Sequence, residues 1–261
     1  MKIATWNVNS VRARLGSVLL WLQTQRPDVL CLQETKVEDT QFPKEAFREM
    51  GYFTACYGQK AYNGVAILSL APPDALQFGF PKMENTTDWN EQKRMMTATF
   101  GNLTIINVYL PNGESVDSSK FEYKLNFMQH LRDWLDQTYP PNPSVILTGD
   151  FNVAPEAIDV YAPEAWQNEV IFHPSARQAL THLAAWGFVD LFRKHHAEGG
   201  QYTWWDYRAL AFSRNWGLRI DHIWGSVPVA QQCSACEIDR APRAEPRPSD
   251  HTPMMATLTI G

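Results

Sequence analysis

Short apolar runs, each closed by a cluster of polar residues, recur along the whole chain. That rhythm leaves little room for anything but a layered arrangement of strands. The clusters are Trp6-Asn7-Val8-Asn9, Gln33-Glu34-Thr35-Lys36, Asn107-Val108-Tyr109-Leu110-Pro111, Gly149-Asp150-Phe151-Asn152, Arg219-Ile220-Asp221-His222 and Ser249-Asp250-His251. Residues 2–8 alternate and read as a strand. Ser10 is placed to cap a helix whose apolar stripe is Val11, Leu15, Val18 and Leu22, with Pro27 ending it. Residues 28–34 form a near-continuous apolar run, the pattern of a buried strand, and 65–70, 97–100 and 103–110 read as further strands. Ser118 or Ser119 caps a long helix with the stripe Phe121, Leu125, Met128, Leu131 and Leu135, stopped by Pro140-Pro141. A strand at 145–148 runs into Gly149-Asp150. Helical segments fill much of 155–196, and strands return around 203–205, 219–225 and 254–260.

Both halves open with a strand-helix unit and finish in strands. The order predicts one domain over residues 1–261, with β layers in the middle and helices outside. A doubly wound parallel sheet fits less well. No Gly-rich phosphate loop follows an early strand, and the strands at 65–70 and 97–100 have no helix between them. The length, 261 residues, is enough to bury a sizeable core. No apolar stretch is long enough to span a bilayer, and the first residues lead straight into Ile3-Ala4-Thr5-Trp6 without a signal-like segment, so a cytoplasmic location is expected. The Asn85 and Asn102 sequons then carry no meaning.

A net charge of −5 argues against a protein that coats nucleic acid by bulk electrostatics. It leaves room for a local basic rim drawn from Arg12, Arg14, Arg208, Arg214, Arg240, Arg243 and Arg247. Ten tryptophans point first to core packing. Of the four cysteines, Cys31 reads as a buried thiol. Cys233 and Cys236 form a lone C-x-x-C without the further ligands a zinc site needs.

The polar clusters carry the chemistry. Alternation along a strand points residues i and i+2 the same way, so Asp150 with Asn152, and Asn7 with Asn9, are expected to project together. An Asp beside an Asn offers one group that carries charge or a proton and another that donates a hydrogen bond to a phosphate oxygen. Glu34, with Asn7 beside it, is a sufficient protein share for Mg²⁺, which takes one or two carboxylates and keeps water on its other positions. His251 is the natural acid-base group near neutral pH. Its orienting carboxylate is better sought in Asp221 than in adjacent Asp250, whose side chain points away. Asp250 is left for a second metal position or a structural bond. Tyr109, at a strand end, is placed to bond a phosphate oxygen. The run Thr203-Trp204-Trp205-Asp206-Tyr207-Arg208 interleaves rings with a cation, as a nucleic-acid surface does. Taken singly, each cluster also reads as a turn, a strand end or core; the ordered set is what points to metal-assisted phosphodiester chemistry.

In this order the motifs resemble the exonuclease III family of DNA-repair nucleases. The resemblance rests on Trp-Asn-Val-Asn at 6–9, Leu-Gln-Glu-Thr-Lys at 32–36, Tyr-Asn-Gly-Val-Ala at 62–66, Gly-Asp-Phe-Asn-Val-Ala-Pro at 149–155, Gly-Leu-Arg-Ile-Asp-His at 217–222 and Pro-Ser-Asp-His at 248–251. It implies a four-layered α/β-sandwich of two packed, mainly antiparallel sheets flanked by helices and built as two similar halves. It implies Mg²⁺ or Mn²⁺ dependence, and a monomer acting on double-stranded DNA at abasic sites or 3′ ends. By position, Glu34 resembles the principal metal ligand, with Asn7 and Asn9 near it. Asp150 and Asn152 resemble the proton-transfer and oxyanion-donor residues and also face the metal. His251 with Asp221 resembles the pair that activates water or stabilises the transition state. Tyr109 would meet the scissile phosphate, and Asn9 and Lys36 would face DNA. Trp204, Leu218 and Ile220 resemble an apolar pocket for a flipped-out abasic sugar, and Arg208 a residue that inserts into the duplex. The segment 159–174, with Tyr161, Trp166, Gln167 and His173, falls where members of the family differ; a bulky loop there would bar an internal abasic site while admitting a 3′ end, so the balance of the two activities is left open, and for His173 itself a capping or surface role is expected. Two other readings are a phosphatase of phospholipids or inositol phosphates, and a nucleic-acid-binding regulator without catalysis. Against the last stands the full set Glu34, Asp150, Asn152, Asp221 and His251.

Overall fold

Two strand-helix-strand units set the architecture. In the computed structural model, which describes residues 1–81 and 88–259, the first unit is β1 (Lys2–Asn7), α1 (Leu15–Gln25) and β2 (Val29–Gln33). It is followed by α2 (Lys44–Glu49), β3 (Phe53–Tyr57), β4 (Val65–Ser69), β5 (Ala75–Phe78) and β6 (Met95–Phe100). The second unit is β7 (Leu103–Tyr109), α3 (Ser119–Thr138) and β8 (Ser144–Asp150). After it come α4 (Pro163–Trp166), α5 (Pro174–Ala184), β9 (Phe188–Asp190), α6 (Leu191–His195), β10 (Trp204–Trp205), α7 (Ala211–Arg214), β11 (Gly217–Leu218), β12 (Asp221–Ser226), α8 (Val227–Gln232), β13 (Cys233–Ile238) and β14 (Met254–Leu258).

The strands form two six-stranded sheets, ordered β13-β14-β1-β2-β4-β3 and β5-β6-β7-β8-β12-β9, with β10 and β11 as a separate pair. Each large sheet holds one parallel pair at its centre, β1 with β2 and β7 with β8, and its other pairings are antiparallel. The sheets are therefore mixed, mainly antiparallel, and superimposable in topology: β1, β2, β4 and β3 answer to β7, β8, β12 and β9. The halves are not contiguous in sequence, because the last two strands, β13 and β14, return to the edge of the first sheet.

Three apolar cores separate four layers. Ile3, Val29, Cys31 and Ile67 from the first sheet meet Ile105, Ile146 and Ile223 from the second. Outside the first sheet, Trp6, Leu30 and Leu32 pack on Val18 and Leu22 of α1 and Phe47 of α2. Outside the second, Ile106, Val108, Val145 and Leu147 pack on Phe127, Leu131 and Leu135 of α3 and Leu180 of α5. Strand alternation does the sorting: Ile3 faces inward and Trp6 outward on β1, Ile105 inward and Ile106 outward on β7. Burying side chains of this size stabilises by about 1.5–3 kcal/mol each.

Helix α3 begins where expected, with Ser118 Oγ accepting from Phe121 N at 3.2 Å. Helix α1 does not. It starts at Leu15, not Ser10, because residues 9–11 stay bound to the exit of β2. Ser10 N donates to Glu34 O at 2.8 Å and Val11 N to Thr35 O at 3.2 Å, and Ser10 itself has a left-handed φ of 89°. Two sequence readings reach outside the described residues, the sequon at Asn85 and the end of the last strand at Ile260. Among the described residues no helix is long and apolar enough to cross a membrane. Cys31, Cys56, Cys233 and Cys236 are free, buried thiols, and burial raises the pKa of each. That favours the protonated form of the C-x-x-C pair, which is slow in thiol exchange.

Candidate active site

The polar residues stand at the carboxyl ends of the two parallel strand pairs, where an α/β sheet offers a crevice. The inner-face parity that places Ile3, Ile105, Ile146 and Ile223 in the core continues up the same strands to Asn7, Tyr109, Asp150 and Asp221. Between the apolar floor and the rim lies a polar layer that ties the sheets together. Gln33 Nε2 donates to Thr5 Oγ1 at 2.9 Å and to Asn107 Oδ1 at 2.8 Å. Asn107 Nδ2 in turn donates to the carbonyls of Leu32 at 3.1 Å and Ala66 at 2.9 Å. Gly149, with φ 141°, permits the close approach of β8 to β7: a Cβ there would lie 1.9 Å from Val108 O.

Asp150 is the hub. Its Oδ2 accepts from Asn7 Nδ2 at 2.8 Å and Asn152 Nδ2 at 3.3 Å, and lies 3.8 Å from His251 Nε2. Its Oδ1 accepts from Asn152 N at 2.8 Å. Asn7 Nδ2 also donates to Glu34 Oε1 at 2.8 Å, so one amide links carboxylates from the two sheets. Asp221 Oδ2 holds His251 Nδ1 at 2.8 Å and is itself positioned by pairing opposite Asp150. Thr203 Oγ1 accepts from the backbone N–H groups of Ile220 and Asp221, at 3.1 and 3.0 Å, and so fixes the chain there.

The electrostatics separate these groups. Burial raises the Asp150 pKa, and the charges of Asp221 and Glu34 add to it against the pull of His251. Burial works against the His251 imidazolium, but Asp221 and Asp150 outweigh it and move its pKa well up. Glu34 lies below the usual carboxylate range: burial opposes this, and the charge of Lys36 with bonds from Asn7 and Lys36 prevails. Burial, followed by the charges of Glu34 and Asp150, keeps the Tyr109 phenol protonated. Near neutral pH the site therefore holds an ionised Glu34, a charged His251, a neutral phenol, and in Asp150 a carboxylate that takes up a proton more readily than usual.

Glu34, Asp150 and His251 each present a donor atom, all within 4.8 Å of one another. The donor set fits a hard cation: an ionised carboxylate and a second one nearby, with an amide and a phenol around them. His251 is the weakest of the three as a ligand, because its charge and its bond to Asp221 leave no free lone pair toward an ion.

Several expected residues sit differently from the sequence pattern. Asn9 and Asn152 do join their partners, but not by strand alternation. Both have left-handed φ, 43° and 50°, and fold back in turns closed by Asn9 N to Asn7 Oδ1 at 2.9 Å and by the Asn152 N bond to Asp150. Asp250 accepts from Trp204 Nε1 at 3.0 Å and Asn9 Nδ2 at 2.9 Å and lies outside the three-donor group. Lys36 Nζ bonds Asn9 Oδ1 at 2.6 Å and Glu34 at 2.8 Å. Leu218 and Ile220, expected to line a pocket, are 0 % and 1 % exposed. Both belong with Val160 to the buried cluster outside the second sheet, Trp166 and Trp204 pack against that cluster, and Trp166 lies edge-on to Trp204 at 6.2 Å, so this wall is closed. Arg208 projects outward, paired with Asp206 at 2.7 Å. His173 caps α5, its Nδ1 accepting from Ser175 N at 3.2 Å. Asn112 was missed. It is exposed at the mouth, and its Nδ2 donates to Asn152 Oδ1 at 3.2 Å. Its place directly after the Tyr-Leu-Pro strand end was the available signal.

Comparison with known proteins gives a consistent picture. The Endonuclease/Exonuclease/phosphatase family model matches residues 4–251. Exodeoxyribonuclease III of Haemophilus influenzae is 35 % identical, over 98 % of this chain and 99 % of that protein. Among solved structures, an AP endonuclease from Archaeoglobus fulgidus superimposes with a TM-score of 0.95 at 41 % identity, each chain covered in full. A 3′-5′ exonuclease from Neisseria meningitidis does so with a TM-score of 0.93 at 41 % identity, over 99 % of both chains.

Proposed function

The chain belongs to the endonuclease/exonuclease/phosphatase family and is a nuclease of exodeoxyribonuclease III type; from that premise we propose that it uses Mg²⁺ to hydrolyse phosphodiesters and phosphomonoesters at the 3′ ends of duplex DNA, with internal abasic incision the weaker activity. The observation that carries this reading is the convergence on Asp150 of Asn7, Asn152 and the His251–Asp221 pair, with Glu34 across the same amide. On this reading it acts as a monomer and in the cytoplasm, where it would meet DNA; the likeness to the bacterial exodeoxyribonuclease III of Haemophilus influenzae supports that location.

Glu34, with Asn7 behind it, would hold the ion; Mn²⁺ would serve in its place. The bound cation supplies Lewis-acid polarisation of the phosphate and charge neutralisation at the leaving oxygen. The protein residues divide the rest. Asp150, with its raised pKa, accepts the proton of the attacking water. His251, held charged by Asp221, donates from Nε2 to a non-bridging phosphate oxygen, and the amide of Asn152 and phenol of Tyr109 donate to the charge that develops there. On this reading Lys36, Asn9 and Arg208 contact the backbone of the strand, and Asp250 anchors Asn9 and Trp204.

The preference for ends follows from the closed wall. An abasic sugar flipped out of a continuous duplex needs an apolar recess, and Leu218 and Ile220 are buried in a cluster with Val160, against which Trp204 and Trp166 pack. A terminal nucleotide needs no such recess. The test is a gel assay with three end-labelled duplexes: a recessed 3′ end, a nick bearing a 3′-phosphate and an internal abasic analogue. The expected result is Mg²⁺-dependent turnover of the first two at least tenfold faster than the third, and none in EDTA. Faster cleavage of the abasic duplex would overturn the preference; turnover in EDTA would overturn the metal assignment.

A further inference from the structure

Lys124, in the first half of α3, is completely buried, and among the described residues no carboxylate lies within ion-pair distance of it. Its Nζ donates to three backbone carbonyls: Asn112 O at 3.0 Å, Asn152 O at 2.8 Å and Val170 O at 2.8 Å. Three acceptors are the full complement of an ammonium, which has three N–H groups to place. Burying that charge is costly, and burial pulls its pKa down to about 7. A methionine of similar length would fill the space without the penalty.

The three acceptors come from three separate segments. Asn112 lies after β7, Asn152 after β8, and Val170 in the stretch between α4 and α5. The first two carry the amides at the mouth of the site, joined by the Asn112 Nδ2 to Asn152 Oδ1 bond. Asn152 is held in a left-handed turn, and the lysine bonds the carbonyl of that same residue. Gly113, with φ 101°, lets the chain wrap closely around the lysine stem: a Cβ there would lie 3.2 Å from Lys124 Cδ. Among the described residues no other side chain bonds all three segments.

We propose that Lys124 is a positioning residue for phosphate-ester hydrolysis: its ammonium clamps the Asn112 and Asn152 turns together, so that both amides meet the phosphate in one fixed arrangement, and holds the segment between α4 and α5 to the same point. The inference rests on the proposed DNA activity, which wild-type turnover of the 3′-phosphate duplex checks independently. If wild type is inactive on that substrate, the functional reading fails; if wild type is active and the variants below match it, only this inference fails.

The experiment measures kcat and KM on the 3′-phosphate duplex for Lys124→Met, Asn112→Ala and the double variant, each confirmed folded by its thermal transition. Misplaced donors lower kcat with KM little changed. Lys124→Met should lose about 20-fold in kcat with KM within about twofold. The double variant should be no worse than about twofold below the poorer single variant, because both changes break one arrangement. A folded Lys124→Met with wild-type kcat, or losses that multiply in the double variant, would overturn the proposal. If Lys124→Met does not fold, Lys124→Gln, which keeps two N–H donors, decides in its place: a smaller kcat loss with the same non-additivity supports the clamp, and wild-type kcat sinks it.

Discussion

The two halves share a topology but not a chemistry. At the end of β1 and β2 the first half presents Asn7, Asn9, Glu34 and Lys36, of which all but Asn7 are partly exposed, and its main bond is the ion pair between Lys36 and Glu34. At the end of β7, β8 and β12 the second half presents Asp150, Asn152 and Asp221, all buried, each held by hydrogen bonds from more than one direction or by strand pairing. Repeating a fold thus yields two rims of different polarity and wetness. The open rim suits a hydrated cation, which keeps most of its water. The dry rim suits proton transfer and oriented donors, which gain strength where water is excluded. Asn7 is the joint, since its single amide nitrogen bonds Glu34 on one side and Asp150 on the other.

That division can be broken by mutation. The largest effect belongs to the hub: Asp150→Asn should lower kcat on the order of 10³-fold, because it removes the proton acceptor and upsets the bonds to Asn7 and Asn152. Single-turnover rates on a 3′-phosphate duplex measure this, and a loss under tenfold would mean the hub is not where chemistry occurs. Glu34→Gln should cost about 10²-fold at fixed Mg²⁺ and move the half-saturating Mg²⁺ concentration upward by about tenfold. Asp221→Asn should cost a similar ~10²-fold through the His251 tautomer and charge, with the Mg²⁺ titration curve unmoved. If both variants shift that curve equally, the two rims do not divide the work as described.

The pH profile sharpens the same contrast. In the proposed mechanism Asp150 acts as the carboxylate, and its pKa is raised, so activity should fall as pH drops, at a pH above the ~4 of a free aspartate. In the same mechanism His251 acts as the imidazolium, and its pKa is raised, so the alkaline loss should come well above the ~6.5 of free histidine. A nearby cation favours the carboxylate form, so limiting Mg²⁺ should move the acid limb upward. A limb that ignores Mg²⁺ would separate Asp150 from the ion. The smallest effect is at the open rim: Lys36→Ala should change kcat/KM about two- to fivefold, mostly in KM and less at high salt, as for a part-exposed ion pair.

Much of the site was legible because strand ends are legible. Runs such as residues 145–148 leading into Gly149-Asp150 show in one dimension both the strand and the polar residue that terminates it. Period-two alternation places Asn7, Tyr109, Asp150 and Asp221 on the same face as Ile3, Ile105, Ile146 and Ile223. The positions at i+2 were a different matter. Asn9 and Asn152 reach the site through left-handed turns, and alternation does not describe residues past the last strand hydrogen bond. The start of α1 slipped from Ser10 to Leu15 for a similar reason: the carbonyls of Glu34 and Thr35, some 24 residues on, compete for the same backbone N–H groups.

The order of the chain alone determined the layers, the central strand-helix-strand units and the kinds of side chain at each strand end, because apolar periodicity and terminal polarity are local properties. Only the tertiary structure decided which of those ends meet. Asn7 bonds Asp150 across 143 positions, Ser249 holds the Asn7 carbonyl across 242, and Lys124 gathers three loops onto one ammonium. It also decided that Leu218 and Ile220 are buried and that Asp250 accepts bonds from Trp204 and Asn9. Burial and hydrogen-bond pairing belong to neighbours in space, and no window along the sequence contains them.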